Sequence, residues 1–327
     1  MEKLHATLII GFCVLLTLTF DVATVEAATT PHAPIQIIGD AAFTAANGVT
    51  SGSGTVADPY IIGNWDISAA THEGITVSGT TQYFAIKNVI VHDGGTTFSG
   101  IDFSSLSNGQ VVNSTVTSCK EGLSLNTVSD CTISANAALG NLKGISINTS
   151  TGVIVTGNMI SSSAGDGLAL DQSNNIVVSQ NNITSNVEGI SLLSSSDIII
   201  SHNAIKENTA NGLSITNSTG NTISSNDFVN NVQQVSSDLS VNKWDNGYPL
   251  GGNYWSNYAG ADMMSGPFQN MTGADGIIDT AYNIDANNRD NYPLKNLEVI
   301  PEFQQSLIML ALMMATSLMI PVYRRKR

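Results

Sequence analysis

The amino-acid sequence predicts an all-β protein, a right-handed parallel β-helix of about seven to eight coils of ~22 residues with a cap at each end. Three observations support this fold class. A glycine followed by an apolar-x-apolar triplet recurs at a nearly constant interval, columns of asparagine and of aliphatic residues keep the same register, and apolar residues alternate with polar ones over pieces of three to five residues. Alternation over such short pieces is typical of strands and not of helices.

The repeating glycine defines the coils, and its successive intervals are 26, 22, 22, 23, 22 and 23 residues. The glycines are Gly74, Gly100, Gly122, Gly144, Gly167, Gly189 and Gly212. A single coil cannot bury its own apolar side, so its stability has to come from stacking on its neighbours.

Asparagines recur at two further positions of the repeat. Fourteen residues after the glycine stand Asn88, Asn136, Asn158, Asn181, Asn203 and Asn226, with Ser114 as the exception; nineteen residues after it stand Asn141, Asn186, Asn208 and Asn231. Coils stack about 4.8 Å apart, so each column is expected to form a ladder of amide hydrogen bonds. The glycines and asparagines are also expected to supply left-handed backbone angles at the corners.

The two ends of the chain are predicted to be targeting segments. Lys3, the apolar run from 6 to 20 and the small-residue site at 25–27 indicate a secretory signal peptide. At the other end, Pro301-Glu302-Phe303 precedes an apolar run from Leu307 to Val322 and a basic end. That run is just long enough for a transmembrane helix, with the basic residues on the cytoplasmic side. The predicted divisions are 1–27 signal peptide, 28–72 N-terminal cap, 73–238 coils, 239–297 C-terminal cap and 298–327 tail.

The charge balance excludes nucleic acid as a partner. The chain carries 26 acidic against 12 basic residues, a formal charge of −14, and Arg289 is the only arginine before the basic end. Proteins that follow a phosphate backbone need clustered arginine and lysine.

Cysteines and glycosylation sequons add little to the fold argument. Cys119 and Cys131 fall in different columns of the repeat, which favours two packed thiols over a disulfide. Five N-x-S/T sequons lie outside the ladder columns and predict a glycoprotein: Asn113, Asn148, Asn182, Asn217 and Asn270.

Large aromatic residues are concentrated on both sides of the coils, where an open solenoid needs cover. Before the coils they are Phe43, Tyr60, Trp65, Tyr83 and Phe84; after them they are Trp244, Tyr248, Tyr254, Trp255, Tyr258, Phe268, Tyr282 and Tyr292. Capping of the core is the favoured interpretation, and stacking against sugars is the alternative.

Several segments resemble a known family. The stretch Gly52-Ser-Gly-Thr with Asp58-Pro59-Tyr60, the coils, and Gly252-Asn253-Tyr254-Trp255 through Asp290-x-Tyr292-Pro293 look like archaeal surface proteins that carry a NosD-like β-helix. This resemblance implies a place among carbohydrate-binding and sugar-hydrolase β-helices and, through the family label, a link to copper. The tail resembles archaeal PEF-type sorting signals, which implies processing by a sortase-like enzyme; a plain membrane anchor is the alternative.

The sequence offers few candidate ligands for copper and a better set for calcium. His32, His72, His92 and His202 share no ligand spacing, which disfavours a copper site. The C-terminal cap holds five aspartates among asparagines and glycines, which favours a calcium ion: Asp262, Asp275, Asp279, Asp285 and Asp290. The alternative is that these aspartates form Asx turns.

The candidate catalytic residues are Lys143, Asp166 and Glu188, each directly before a repeating glycine. Asp166 and Glu188 should stand one strand spacing apart, which resembles the carboxyl pair of a retaining glycosidase. The alternative is a solvated column of charges beside Lys143. The position two residues after each glycine predicts a smooth polar face, and it reads Thr76, Asp102, Ser124, Ser146, Ala169, Ser191 and Ser214.

Two functions from different classes follow. The first is a non-catalytic protein of the cell surface that contacts glycans, envelope material or surface-layer proteins and is held by its C-terminal helix. The second is a polysaccharide lyase or glycoside hydrolase, and a copper-site accessory protein is a weaker third.

Overall fold

The computed structural model describes residues 29–298, and in that range the chain forms short β-strands and two 3-10 helices, Asp40–Ala42 and Ala45–Asn47. The first strands are β1 (Thr30–His32), β2 (Ile35–Ile38), β3 (Val49–Ser51), β4 (Tyr60–Gly63), β5 (Trp65–Ser68), β6 (Ile75–Ser78), β7 (Phe84–Lys87), β8 (Ile90–His92), β9 (Ile101–Ser107), β10 (Gly109–Val112) and β11 (Thr115–Thr117). The middle strands are β12 (Glu121–Ser129), β13 (Thr132–Ser134), β14 (Ala137–Leu139), β15 (Lys143–Asn148), β16 (Ile154–Thr156), β17 (Met159–Ser161), β18 (Asp166–Asp171), β19 (Val177–Ser179), β20 (Asn182–Thr184), β21 (Glu188–Leu193) and β22 (Ile199–Ser201). The last strands are β23 (Ala204–Lys206), β24 (Asn211–Thr216), β25 (Thr222–Ser224), β26 (Asp227–Val229), β27 (Gln233–Asp238), β28 (Tyr254–Trp255), β29 (Met264–Ser265), β30 (Met271–Thr272), β31 (Tyr282–Asn283) and β32 (Arg289–Asp290).

Strands β1 to β28 build three long sheets, to which each complete coil contributes one strand per sheet, and β29-β30 and β31-β32 form two separate antiparallel pairs in the cap. Sheet A has the order β1-β5-β8-β11-β14-β17-β20-β23-β26-β28, sheet B has β2-β6-β9-β12-β15-β18-β21-β24-β27, and sheet C has β25-β22-β19-β16-β13-β10-β7-β4-β3. All neighbours in these sheets are parallel except β3 and β4. The predicted parallel β-solenoid is therefore confirmed.

The solenoid has about nine turns, so the prediction of seven to eight was too low. The additional turns come from residues before Gly74, because β1, β2, β4 and β5 pair in parallel with strands of the following coils. The residues before Gly74 do not carry the repeating glycine with its apolar triplet, so counting glycines missed the turns that they form.

The second amide ladder joins Asn186, Asn208 and Asn231 but not Asn141, because Ser163 stands between Asn141 and Asn186. The first ladder exists and extends to Asn253, one coil further than predicted. Each Nδ2 donates to the next Oδ1 at 2.9–3.1 Å from Asn136 through to Asn253. We call this set the first amide ladder: Asn136, Asn158, Asn181, Asn203, Asn226 and Asn253. Each of these amides also donates to a backbone carbonyl of the preceding coil, as Asn181 does to Val155 at 2.9 Å. The ladder therefore satisfies buried backbone groups as well as itself.

Asn88 does not belong to this ladder, contrary to the prediction. It is half-buried and lies in an outer column with Asn64 and Asn113, with amide bonds of 3.4 and 2.7 Å. The buried position is taken by Val89, whose N–H donates to Ser114 Oγ. The first glycine interval is 26 residues instead of 22 or 23, and this longer coil shifts the register.

The repeating glycines are not the left-handed corners. A Cβ on Gly122 would lie 2.5 Å from the Gly144 carbonyl oxygen and 2.8 Å from Asn141 Nδ2, so glycine is required by close packing. Left-handed angles are found, as predicted, in other corner glycines and asparagines such as Gly157, Asn175 and Asn217. They are also found in Gln180, His202 and Ser225, with φ of 57°, 56° and 58°. Each of these directly precedes an asparagine of the first ladder, and the left-handed residue turns the chain so that the amide faces inward.

The core is a set of aliphatic columns closed by aromatic rings. Phe43 stacks on Tyr60 at the N-terminal end with ring centroids 4.6 Å apart, and Trp244 and Trp255 are 1% exposed at the other end. Capping by aromatics is confirmed at these positions. Phe268, in contrast, is 83% exposed and covers none of the core.

The two described cysteines are free and buried, which confirms the prediction of packed thiols. Burial raises the pKa of both thiols, and that of Cys131 reaches about 11. The predicted signal peptide and transmembrane helix lie outside residues 29–298, and inside that range no helix is long and apolar enough to cross a membrane.

Candidate functional site: the outer face of sheet B and the C-terminal cap

The outer face of sheet B carries parallel rows of polar side chains. The hydroxyl row places one small side chain on each coil in direct register: Ser124, Ser146, Ala169, Ser191, Ser214 and Ser236. The charged row runs beside it at the strand starts: Glu121, Lys143, Asp166, Glu188, Asn211 and Gln233. Alternation along each strand aims the hydroxyl row away from the core, because its members alternate with buried residues such as Leu168 and Leu170. The charged row does not follow this alternation; it lies at the corner directly before each repeating glycine, where its members from Glu121 to Asn211 are half-buried.

The structure brings the three predicted catalytic residues together in the charged row. Lys143 Nζ lies 3.3 Å from Asp166 Oδ2, and Asp166 is the direct register partner of Glu188. Glu188 Oε1 in turn accepts a hydrogen bond from Asn211 at 3.1 Å. The row is therefore a chain of charge and amide contacts along the solenoid axis, in which Asp166 already has a cationic partner.

Glu188 is the most unusual member of this row. Burial raises the pKa of Glu188, the hydrogen bond from Asn211 opposes that shift, and the nearby charge of Asp166 adds to it. Its Oε2 is buried without a hydrogen-bond partner among the described residues. A carboxyl group with these properties can hold a proton at higher pH than an exposed glutamate.

Asp102 is a second perturbed carboxyl on the same face. Burial raises the pKa of Asp102, and the charges of Glu73 and Glu121 raise it further, while a hydrogen bond with Ser124 lowers it. These neighbours make the N-terminal half of the face strongly acidic. An acidic face repels anionic polymers and tolerates neutral ones.

The hydroxyl row is partly covered by its neighbours, and Ser124, Ser146 and Ala169 are at most 8% exposed. Ser146 is only 2% exposed although it points away from the core, because flanking side chains fold over it; Asn148 Nδ2 donates to Ser146 Oγ at 3.3 Å.

The structure places the five aspartates of the C-terminal cap in hydrogen bonds to N–H donors. Asp262 accepts from the backbone of Asp275 and Gly276, both at 3.1 Å, and Asp279 accepts from Met263 and Met264 at 3.0–3.1 Å. Asp275 similarly accepts from Gly266, Gln269 and Ile277. The bond from Ile277 N–H to Asp275 is the Asx turn given above as the alternative to calcium, whereas Asp262 and Asp279 accept from backbone that is distant in sequence. Calcium binding stays a prediction.

The remaining two aspartates, Asp285 and Asp290, each accept a hydrogen bond from the last asparagine of a column, Asn288 and Asn253 respectively. Asp290 is fully buried, and its Oδ2 accepts from Asn253 N–H at 2.7 Å and from Trp255 Nε1 at 2.9 Å. Burial raises the pKa of Asp290 to about 7, although these hydrogen bonds oppose the shift. Burial would also raise the pKa of Asp285, but bonds from Asn287, Ser237 and Asn288 outweigh it and lower the value.

A cavity of about 230 Å³ opens at the C-terminal end of sheet B. It lies between the start of β27 and the cap, and its lining is Val232, Gln233, Gln234, Val235, Asn257, Tyr282, Asn283 and Ile284. The sequence reasoning named Tyr282 as a capping aromatic and missed the amides around it. No local pattern marks these amides, because Gln233 and Asn257 become neighbours only when the chain returns over the last coil.

The profile of a family described as periplasmic copper-binding protein (NosD) matches residues 47–260. The chain belongs to the NosD family. No curated protein matches the chain. The periplasmic description of the NosD family is in keeping with an exported protein.

The described residues do not fit the copper site that the name of the NosD family implies. His92 has Nε2 2.9 Å from Asp66 and Nδ1 2.7 Å from Asp93, so both its nitrogens already face carboxylates. His202 lies near Glu298 on another coil, and the two cysteines are buried in separate columns. Residues 29–298 contain no group of three or more His, Cys, Asp or Glu side chains suited to a metal ion.

Among solved structures the chain is similar to the periplasmic alginate epimerase AlgG, with 16% identity, a TM-score of 0.49 and coverage of 56% of this chain and 52% of that chain. It is also similar to pectate lyase Pel9A, with 16% identity, a TM-score of 0.47 and 73% coverage of both chains. A third is the A-module of the Azotobacter vinelandii mannuronan C-5 epimerase AlgE4, with 15% identity, a TM-score of 0.45 and coverage of 66% and 60%. The chain thus spans about half the length of AlgG, and likenesses at this level concern the fold alone.

Proposed function

We propose that the chain is an exported, non-catalytic protein whose outer face on sheet B binds a neutral glycan of the cell envelope. The observation that carries this proposal is the row of small side chains held in register on successive coils, of which Ser191, Ser214 and Ser236 are half-exposed. Carboxyls that already have protein partners border this row. A row of repeated hydroxyl and amide groups suits a repetitive polymer, because each coil can offer the same contact to the next unit.

The location is proposed from the sequence ends. The segment 1–27 would direct export, and the apolar run 307–322 would anchor the body at the outer surface of an archaeal cell, with or without processing at the Pro301-Glu302-Phe303 motif. Protease treatment of intact cells tests this: loss of residues 29–298 from intact cells is expected, and full protection would contradict it.

The experiment on binding compares two serines of one coil in the full-length chain. Ser191→Arg places a bulky cation on the outer face of sheet B, and Ser201→Arg places the same group on the outer face of sheet C. Binding to neutral envelope polysaccharide, measured by isothermal titration calorimetry, should weaken at least tenfold for Ser191→Arg and less than twofold for Ser201→Arg. Equal behaviour of the two variants would rule out sheet B as the contact face.

A carbohydrate-active enzyme is the second candidate, and the raised pKa of Glu188 beside Asp166 favours it. Glu188 would act as the general acid and Asp166 as the opposing carboxylate. Release of reducing ends from the bound polysaccharide, abolished in Glu188→Gln, would establish this function in place of the first. We expect binding without release, because Asp166 is paired with Lys143.

A further inference from the structure

The C-terminal cavity lies beside the end of the charged row but differs from it in chemistry. None of its eight lining side chains is ionisable near neutral pH, and they include four amides. The cavity can therefore take a neutral polar ligand without charge compensation.

Tyr282 gives this cavity an aromatic wall that is held in place. Its ring stacks on Trp255 with centroids 4.2 Å apart and 13° between the planes, and Trp255 stacks on Phe228 at 4.6 Å. Tyr258 contacts the ring edge-on at 5.4 Å, and Asn257 Nδ2 donates to the Tyr282 hydroxyl at 3.2 Å. A ring fixed on one face, one edge and its hydroxyl loses little freedom when a ligand packs against it.

The amide side chains around the Tyr282 ring differ in how available they are to bind a ligand. Gln234 is 4% exposed and uses its Oε1 to accept from Asn231 and its Nε2 to donate to Ser256. Asn257 and Asn283 are exposed at the rim. Amide groups at the rim can donate to and accept from hydroxyls, whereas a carboxylate can only accept.

We propose that this cavity holds a single neutral sugar residue at the end of a glycan chain, with an apolar face of the sugar against Tyr282 and its hydroxyls on Asn257 and Asn283. The volume of about 230 Å³ is below the roughly 300 Å³ at which pockets for larger ligands begin, which suits one residue and not an oligosaccharide. The ligand class rests on the proposed function, but the site is separate from the hydroxyl row. Chain-end recognition here would fix the register of a polymer lying along sheet B.

The test uses the full-length protein and an array of neutral glucose, mannose, galactose and N-acetylglucosamine oligosaccharides coupled through their reducing ends, with calorimetry on the best binder. The double variant Asn257→Ala/Asn283→Ala should weaken binding at least tenfold. Tyr282→Phe, which removes only the hydroxyl, should weaken it about two- to fivefold. The matched control is Asn287→Ala, an exposed amide of the same cap outside the cavity, which should change binding less than twofold.

The outcomes separate this proposal from the previous one. Loss of binding in Ser191→Arg with full binding in Asn257→Ala/Asn283→Ala would overturn the cavity and leave the face of sheet B. The reverse pattern would support the cavity and overturn the face. Absence of binding to every oligosaccharide on the array and to the polysaccharide would overturn both.

Discussion

The coils and the C-terminal cap both bury polar side chains, but the coils use amides and the cap uses carboxylates. Each asparagine of the first amide ladder accepts from one coil and donates to another, so the pattern can repeat without limit. Asp290 in its ionised form can only accept, and it stands where the ladder stops, with Asn253 N–H as its donor. The ladder formed by Asn221, Asn242 and Asn288 ends in the same way, with Asn288 Nδ2 2.8 Å from Asp285 Oδ2. A donor-acceptor side chain continues a ladder, and an acceptor-only side chain ends it.

The most damaging exchange should be Asn181→Asp in the middle of the ladder. Asn181 is fully buried, and its Nδ2 donates to Val155 O and Asn203 Oδ1, both at 2.9 Å. A carboxylate there would face two acceptors in a buried site, so we expect a loss of at least about 4 kcal/mol in the free energy of unfolding. Urea unfolding measures it, with the exposed Asn175→Asp as control; a loss below 1 kcal/mol would show that the amide donor is dispensable.

The pH dependence of stability should be smaller and should come largely from one aspartate of the cap and one of the last coils. Burial raises the pKa of Asp290 to about 7 and that of Asp227 to about 6, so the folded state holds these protons more tightly than the unfolded one. Their contribution is fully present below about pH 4 and is lost as the pH rises through these folded values. For Asp290 alone we expect a fall on the order of 2–3 kcal/mol between pH 4.5 and 7.5. Thermal melts across this range check the sign, and stability that rises with pH would contradict it.

The substitution Asp290→Asn tests the same difference between amide and carboxylate, now in the cap. An amide can still accept from Asn253 and Trp255, but its NH₂ group would face the Tyr292 N–H, which now donates to Oδ1 at 3.0 Å. We expect a cost of about 1–2 kcal/mol at pH 4.5 and a shallower pH slope than the native chain. Melts of both proteins in parallel give both quantities, and an unchanged slope would assign the pH dependence to Asp227, Glu188 and Asp102 instead.

The smallest expected effect is a gain in the free energy of unfolding. Ser163 takes the place of an asparagine between Asn141 and Asn186, and its Oγ is buried without a partner among the described residues. Ser163→Asn should restore the ladder, because Asn208 already occupies the equivalent place beside Gly189 and Ile205. We expect stabilisation of about 1 kcal/mol, read as a higher melting temperature. A lower one would mean that Gly144 and Ile160 leave too little room.

The sequence predicted the middle of the molecule far better than its ends. The columns of Asn136 and Ile133 were visible because identical coils repeat identical contacts. A column of serines six residues after Gly144, Gly167, Gly189 and Gly212 was equally regular and was overlooked; Ser150 N–H donates to Ser173 Oγ at 3.1 Å, and the column continues to Ser240. The cap carries no repeat, so the roles of Asp290 and the neighbourhood of Tyr282 and Gln233 depend on contacts between distant residues. The charged row was predicted as a column, but its pairing of Lys143 with Asp166 needed side-chain positions.

Because the coils between Gly122 and Gly212 meet their neighbours through nearly the same glycine, amide and hydroxyl contacts, with Ser163 and Ala169 as exceptions, whole coils are interchangeable units of length. Duplication of one 22- or 23-residue unit in the gene would lengthen the solenoid by one coil, about 4.8 Å, without altering the caps. The distance between the aromatic ends can thus evolve in discrete increments of one coil.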